Sequence, residues 1–85
     1  GLVLEAAGPN RVRLQLTRPG NAVVTSQRLG GGFVRAIRKL TGPTRGALLI
    51  RLPRDTRPGR YRVRAVLIGD GLRDRAGVVV KVTRR

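Results

Sequence analysis

The chain contains 85 residues, with 19 Lys and Arg against 4 Asp and Glu, so its formal net charge is +15. A chain of this length forms one compact domain with a thin core, which argues against a large enzyme with an enclosed substrate cavity. Apolar residues make up 40% of the chain, more than a disordered polycation carries, and Arg interrupts the apolar stretches before they could form a transmembrane segment. We therefore expect a single folded domain over residues 1–85, and because the chain opens on Gly1 rather than Met we expect it to be a piece of a longer or processed protein.

The first half of the chain alternates between short apolar segments and turns that contain Gly or Pro. Leu2–Glu5 is predicted to form the first strand. Arg11–Thr17 places apolar and polar residues at alternate positions, which is typical of a half-buried strand. Ala22–Leu29 is predicted to pair with it as a hairpin, through the turn Arg18-Pro19-Gly20-Asn21.

The segment Phe33–Leu40 is ambiguous because its apolar residues fit either a short helix or a strand. A helix of about two turns is marginally stable without strong capping, and β-branched and aromatic residues favour the strand that we predict here. The preceding Gly30-Gly31-Gly32 lacks the spacing of a phosphate-binding loop and is predicted to be a hairpin tip. A further turn is predicted at Gly42-Pro43.

Three more strands are predicted in the second half of the chain, at Leu48–Leu52, Arg60–Leu67 and Val78–Val82, because each is apolar at alternate positions. Seven short strands separated by turns predict an all-β fold, an antiparallel β-sandwich without a helix longer than one turn. The predicted core consists of Val12, Leu14, Leu16, Leu48, Ile50, Leu52, Tyr61, Val63, Ala65, Val78, Val80 and Val82.

The most specific stretch of the sequence is TRPGRYRVRA at residues 56–65. A Pro58-Gly59 turn precedes Tyr61, which opens an alternating strand, and a Gly69-Asp70-Gly71 loop then leads to a Val-rich last strand. This order resembles the C-terminal half of bacterial immunoglobulin-like and fibronectin type III-like modules. The resemblance implies an immunoglobulin-like β-sandwich in which Tyr61 is a structural anchor, with its hydroxyl bonded to nearby backbone. It also implies a module of a larger bacterial protein, extracytoplasmic or at the cell surface, whose partners include neighbouring domains of the same chain.

Residues that could catalyse a reaction or hold a metal ion are scarce. The chain has no Cys and no His, which removes thiol chemistry, Cys and His zinc sites and the commonest general base. Ser26 therefore has no His to activate it. Asp70 and Asp74 are the only closely spaced carboxylates, and with Arg73 and Arg75 beside them they supply too few oxygens for a Ca²⁺ site. We expect no catalytic activity, no metal and no cofactor.

Arginine is the residue type whose arrangement points to a function. Alternate positions of one predicted strand carry Arg60, Arg62 and Arg64, so their side chains form a row with a spacing of about 7 Å. The guanidinium group is suited to phosphate, sulfate and carboxylate. The candidate anion-binding residues are Arg60, Arg62, Arg64, Arg11, Arg13, Arg35 and Arg38. The alternative is a solvated sheet face whose Arg content reflects a GC-rich coding sequence.

The sequence leaves three functions open. The first is a non-catalytic immunoglobulin-like structural, adhesive or interaction module whose basic surface suits an anionic polymer such as a cell-wall polysaccharide. The second is a small nucleic-acid-binding β-domain, cytoplasmic in location, that uses rows of Arg on phosphates. The third is an accessory domain that docks an enzyme to an anionic polysaccharide. The second hypothesis lacks a platform for stacking bases, because Phe33 and Tyr61 are the only aromatic residues and Tyr61 is predicted to point inward.

Overall fold

The computed structural model describes residues 2–41 and 46–84 of the chain. These residues contain seven β-strands and no helix. The strands are β1 (Leu2–Ala6), β2 (Arg11–Leu16), β3 (Asn21–Arg28), β4 (Arg35–Leu40), β5 (Gly46–Arg51), β6 (Gly59–Gly69) and β7 (Leu72–Val82). Within the described ranges there is accordingly no helix that could cross a membrane.

The strands form two antiparallel sheets, one of three strands in the order β1-β2-β5 and one of four strands in the order β4-β3-β6-β7. The longest pairing is the β6–β7 hairpin, which is closed by the two residues Asp70 and Gly71. Both have a positive φ, 52° and 73° respectively. This is the backbone that a two-residue type I′ turn requires, and its twist matches the right-handed twist of the strands that it joins.

Inward-facing side chains of both sheets form one hydrophobic core. The alternation along β6 is as predicted, since Val63 is fully buried while Arg62 is exposed. Leu48 and Val78, which were predicted to lie in the core, are only partly buried and pack against its margin. The other predicted core residues are buried, and the core also contains Leu4, Ala22, Val24 and Leu67.

The predicted hairpin between Arg11–Thr17 and Ala22–Leu29 is wrong, because β2 and β3 belong to different sheets. The chain instead crosses from one sheet to the other between them. Arg18 donates from Nε to Asp74 Oδ2 at 3.0 Å and from Nη1 to the carbonyl oxygen of Gly69 at 2.9 Å. These bonds tie the connection to the β6–β7 hairpin. Beyond the connection β3 pairs with β6, while β2 pairs with β1 and β5.

The strand boundaries differ from the prediction by at most two residues in β1 to β6 and by six residues at the start of β7. The strand predicted at Phe33–Leu40 is confirmed from Arg35 onward, and Phe33 belongs to the preceding loop. The last strand begins at Leu72, six residues before the predicted start at Val78. Its first half was missed because the charged residues and Gly at positions 73–77 hide the apolar alternation. The turn predicted at Gly42-Pro43 lies outside the described residues.

Candidate anion-binding surface

The predicted row of arginines lies on the outer face of the four-stranded sheet. Arg60, Arg62 and Arg64 are exposed, while the residues between and after them point into the core. Because successive side chains of a strand point to opposite faces, the alternation of the sequence produces this separation directly. The row is therefore a consequence of the same pattern that forms the core.

Neighbouring strands extend the row into a surface, which we call the basic face. By its pairing with β6, β7 places Lys81 opposite Arg60, and it places Arg73 and Arg75 on the same side of the sheet. At the far edge of the sheet, β4 contributes Lys39 opposite Val23. The cationic residues of the basic face are Lys39, Arg60, Arg62, Arg64, Arg73, Arg75 and Lys81.

The arginines of β7 were not among the predicted site residues. Arg73 and Arg75 fall in the half of β7 that was read as a loop, so they had no predicted face. The signal in the sequence was their separation by one residue, Asp74, which points to the opposite side of the sheet. That spacing has the period of a strand, although Asp74 replaces the apolar residue that usually reveals it.

A shallow groove crosses the basic face between the arginines of β6 and β7. Its lining includes Arg62, Arg64, Arg73 and Arg75, together with Gly77. Gly77 stands directly opposite Arg64 and has no side chain to fill the space. A Cβ atom placed there would contact only the carbonyl oxygen of Val63 at 3.7 Å and Cγ of Arg64 at 3.8 Å. Gly77 thus leaves space in the groove beside Arg64.

No carboxylate lies on the basic face in the part of the chain that the structure describes. Asp74 is bound to Arg18 at the sheet end, and Asp70 occupies the β6–β7 turn. Glu5 stands opposite Arg13 on the other sheet. The positive charge of the basic face is consequently not neutralised by acidic side chains of the same face, and it is available to an external anion.

The fourth carboxylate, Asp55, forms an ion pair with Arg35 away from the basic face. Arg35 Nη1 lies 2.9 Å from Asp55 Oδ1. This hydrogen bond lowers the pKa of Asp55 below its ordinary value. Desolvation opposes the shift, and the guanidinium charge of Arg35 adds to it. Arg35, a predicted anion-binding residue, therefore already has an anionic partner within the chain.

The remaining predicted residues lie apart from the basic face. Arg11 and Arg13 are on the outer face of the three-stranded sheet, on the opposite side of the molecule. Arg11 also donates from Nε to the carbonyl oxygen of Ala7 at 2.7 Å, which holds the β1–β2 connection. Arg38 is exposed on the edge strand β4 next to a bulge. The predicted set is thus divided among three surfaces. Arg51 stands opposite Arg11 on the outer face of the three-stranded sheet, whereas the β6 row is extended by several cations of β4 and β7.

Tyr61 has the position predicted for a structural anchor. Its side chain is largely buried, and its hydroxyl donates to the carbonyl oxygen of Arg57 at 2.8 Å. The bond ties the end of the β5–β6 connection to the first residues of β6. Tyr61 is therefore part of the core beneath the basic face and does not offer its ring to a ligand.

Side chains that could ligate a metal ion are not clustered in the described residues. No cluster of three or more His, Cys, Asp or Glu side chains is found within residues 2–41 and 46–84. Ser26 is part of β3 and is buried on the inner face of the four-stranded sheet. What the described arrangement offers chemically is a set of guanidinium and ammonium donors on an open surface.

Searches against protein-family models, curated proteins and solved structures found no match to this chain.

Proposed function

We propose that the chain is a non-catalytic, immunoglobulin-like module that binds an anionic polymer through its basic face. The strand order supports the fold part of this proposal. In immunoglobulin constant-type domains strands one, two, five and four share one sheet and strands three, six and seven share the other. Here the order differs only in that β4 pairs with β3. The hydroxyl bond of Tyr61 to upstream backbone supports the same proposal.

The observation that carries the binding proposal is the composition of the basic face, which has five arginines, two lysines and no carboxylate among the described residues. A face kept only for solubility has both signs of charge interspersed. The pitch of about 7 Å along β6 presents cations in a line rather than in a single pocket. A line of donors fits a chain of repeated sulfate, phosphate or carboxylate groups.

An acidic cell-wall polysaccharide is the partner that we propose, in a larger bacterial protein at the cell surface. Nucleic acid has the same backbone charge and is the competing partner. The basic face has no aromatic side chain within the described residues, so bases would find nothing to stack on and binding would be limited to phosphates. Charge alone therefore does not distinguish polysaccharide from nucleic acid as the partner, and a binding experiment is needed to do so.

The test compares two double variants with the same change in net charge. Arg62→Gln/Arg64→Gln removes two cations from the basic face, and Arg13→Gln/Arg51→Gln removes two from the opposite face. Affinity for dextran sulfate, teichoic acid and duplex DNA is measured by titration as a function of NaCl. The slope of log K against log salt is negative, and we expect the first variant to make it less negative by about 1.5 to 2 and the second to leave it almost unchanged.

A third variant, Gly77→Val, fills the groove without altering any charge. We expect it to weaken polymer binding several-fold while the salt slope is retained. Equal losses in the two double variants would show adsorption to a polycation and would contradict a specific face. Submicromolar, sequence-selective binding of DNA at 0.15 M NaCl, lost in Arg62→Gln/Arg64→Gln, would replace the polysaccharide with nucleic acid as the partner.

A further inference from the structure

The loop between β3 and β4 exposes an aromatic side chain almost completely. Phe33 has 97% of its surface accessible, although it is one of only two aromatic residues in the chain. Its neighbour Val34 is also exposed, and Leu29 at the other end of the loop is partly so. The one Phe of the chain thus lies outside the core, in an exposed loop where a binding partner could cover it.

The backbone of this loop holds Phe33 away from the body of the domain. The amide of Gly31 donates to the carbonyl oxygen of Arg28 at 3.3 Å, and Gln27 Nε2 donates to the carbonyl oxygen of Gly32 at 3.2 Å. A Cβ atom at Gly30 or Gly31 would meet nothing within 4 Å. The apolar tip therefore projects into open space instead of folding back onto the sheet.

The same end of the domain carries a cluster of cations. The amide of Leu29 donates to the carbonyl oxygen of Arg60, and Arg35 is bound to Asp55, so the β3–β4 loop adjoins the β5–β6 connection. That connection and the end of β7 together line a concavity that includes Arg54 and Arg84. The exposed cations of this end are Arg28, Arg54, Arg57, Arg60 and Arg84. Asp55 is the one carboxylate beside them in the described residues, and it is already paired.

We propose that this loop end is a docking surface for an anionic lipid bilayer, with Phe33 and Val34 inserted at the boundary between headgroups and acyl chains. Apolar and aromatic side chains next to basic residues suit that boundary, where rings enter the apolar layer and cations meet lipid phosphates. A flat anionic surface contacts several loops at one end at once, which accounts for the cations around Phe33. A protein pocket for a single ring would not require them. The surface meets the basic face at Arg60, but it consists of loops at one end of the four-stranded sheet, whereas the basic face lies along the side of that sheet.

The first experiment uses the absence of Trp from the chain. The Phe33→Trp variant carries a single Trp at the tip, and Leu72→Trp carries a single Trp at the β6–β7 end, where Leu72 is also exposed. Each is mixed with phosphatidylcholine vesicles with and without phosphatidylglycerol. For Phe33→Trp we expect a blue shift and quenching by brominated acyl chains only with the anionic vesicles. For Leu72→Trp we expect neither.

The second experiment measures affinity by vesicle sedimentation. Burial of a Phe side chain stabilises the bound state enough that Phe33→Ser is expected to weaken binding about 10- to 100-fold, whereas Leu72→Ser changes it little. Sedimentation with unchanged Phe33→Trp emission would mean adsorption by charge alone and would overturn the insertion proposal, as would the absence of sedimentation. Phe33→Ser retains binding to dextran sulfate if the basic face acts independently, so failure of one proposal is distinguishable from failure of the other.

Discussion

At the scale of single residues, Tyr61 joins the core to the connection that precedes its strand. Its hydroxyl donates to the carbonyl oxygen of Arg57, and its ring is largely buried. Tyr61→Phe removes the hydrogen bond and keeps the ring, so we expect the free energy of unfolding to fall by about 0.5 to 1.5 kcal/mol. Tyr61→Ala also leaves a cavity and is expected to cost about 3 to 5 kcal/mol. Urea denaturation measures both, and equal stability of the three proteins would contradict a buried ring.

At the scale of elements, strand positions could be predicted from the sequence and one strand pairing could not. The alternation of apolar and polar residues identifies β2 and β6, because the inward and outward faces of a strand depend only on its own sequence. Pairing depends on contacts between distant segments, and the Pro19-Gly20 turn signal is equally compatible with a hairpin and a crossover. The bond between Arg18 and Asp74, 56 residues apart, ties the crossover to the β6–β7 hairpin and has no local signature. The early part of β7 was missed because Asp74 faces inward at the sheet end, where it binds Arg18 instead of entering the core.

The close packing of the crossover between the sheets can be tested by substituting Gly20, with Gly77 as the control. At Gly20 a Cβ atom would lie 2.7 Å from the carbonyl oxygen of Ile68 and 2.8 Å from Cδ1 of Leu67. We expect Gly20→Ala to destabilise the domain by about 1 to 3 kcal/mol, because backbone must move to relieve the overlap. Gly77→Ala is the matched control, since its Cβ has room, and it is expected to be neutral or to stabilise by up to about 1 kcal/mol. Similar midpoints for the two variants in urea would show that the connection does not pack closely on β6.

At the scale of the whole molecule, the composition of the candidate site could be predicted only in part. The β6 row follows from alternation within one strand. Which other arginines join it depends on sheet order, and β2 belongs to the other sheet, so Arg11 and Arg13 face away from the row. Arg73 and Arg75 join it because β7 pairs with β6 along its full length. Net charge alone thus predicted an anionic partner, while topology selects the surface on which that partner would bind.

The same topology brings like charges together, and this has a consequence for stability. Arg60 stands opposite Lys81 on the basic face, and Arg11 stands opposite Arg51 on the other sheet. Like charges directly across paired strands repel and destabilise the sheet. Screening shortens the range of that repulsion from about 30 Å at 0.01 M salt to about 8 Å at 0.15 M.

Because salt screens this repulsion, we expect the thermal midpoint to rise with NaCl over this range, as followed by circular dichroism. Lys81→Gln should raise the midpoint at 0.01 M NaCl and reduce the salt dependence, whereas Lys39→Gln, opposite Val23, should do so less. A midpoint that falls or stays constant with added NaCl would show that repulsion does not limit the stability of this fold.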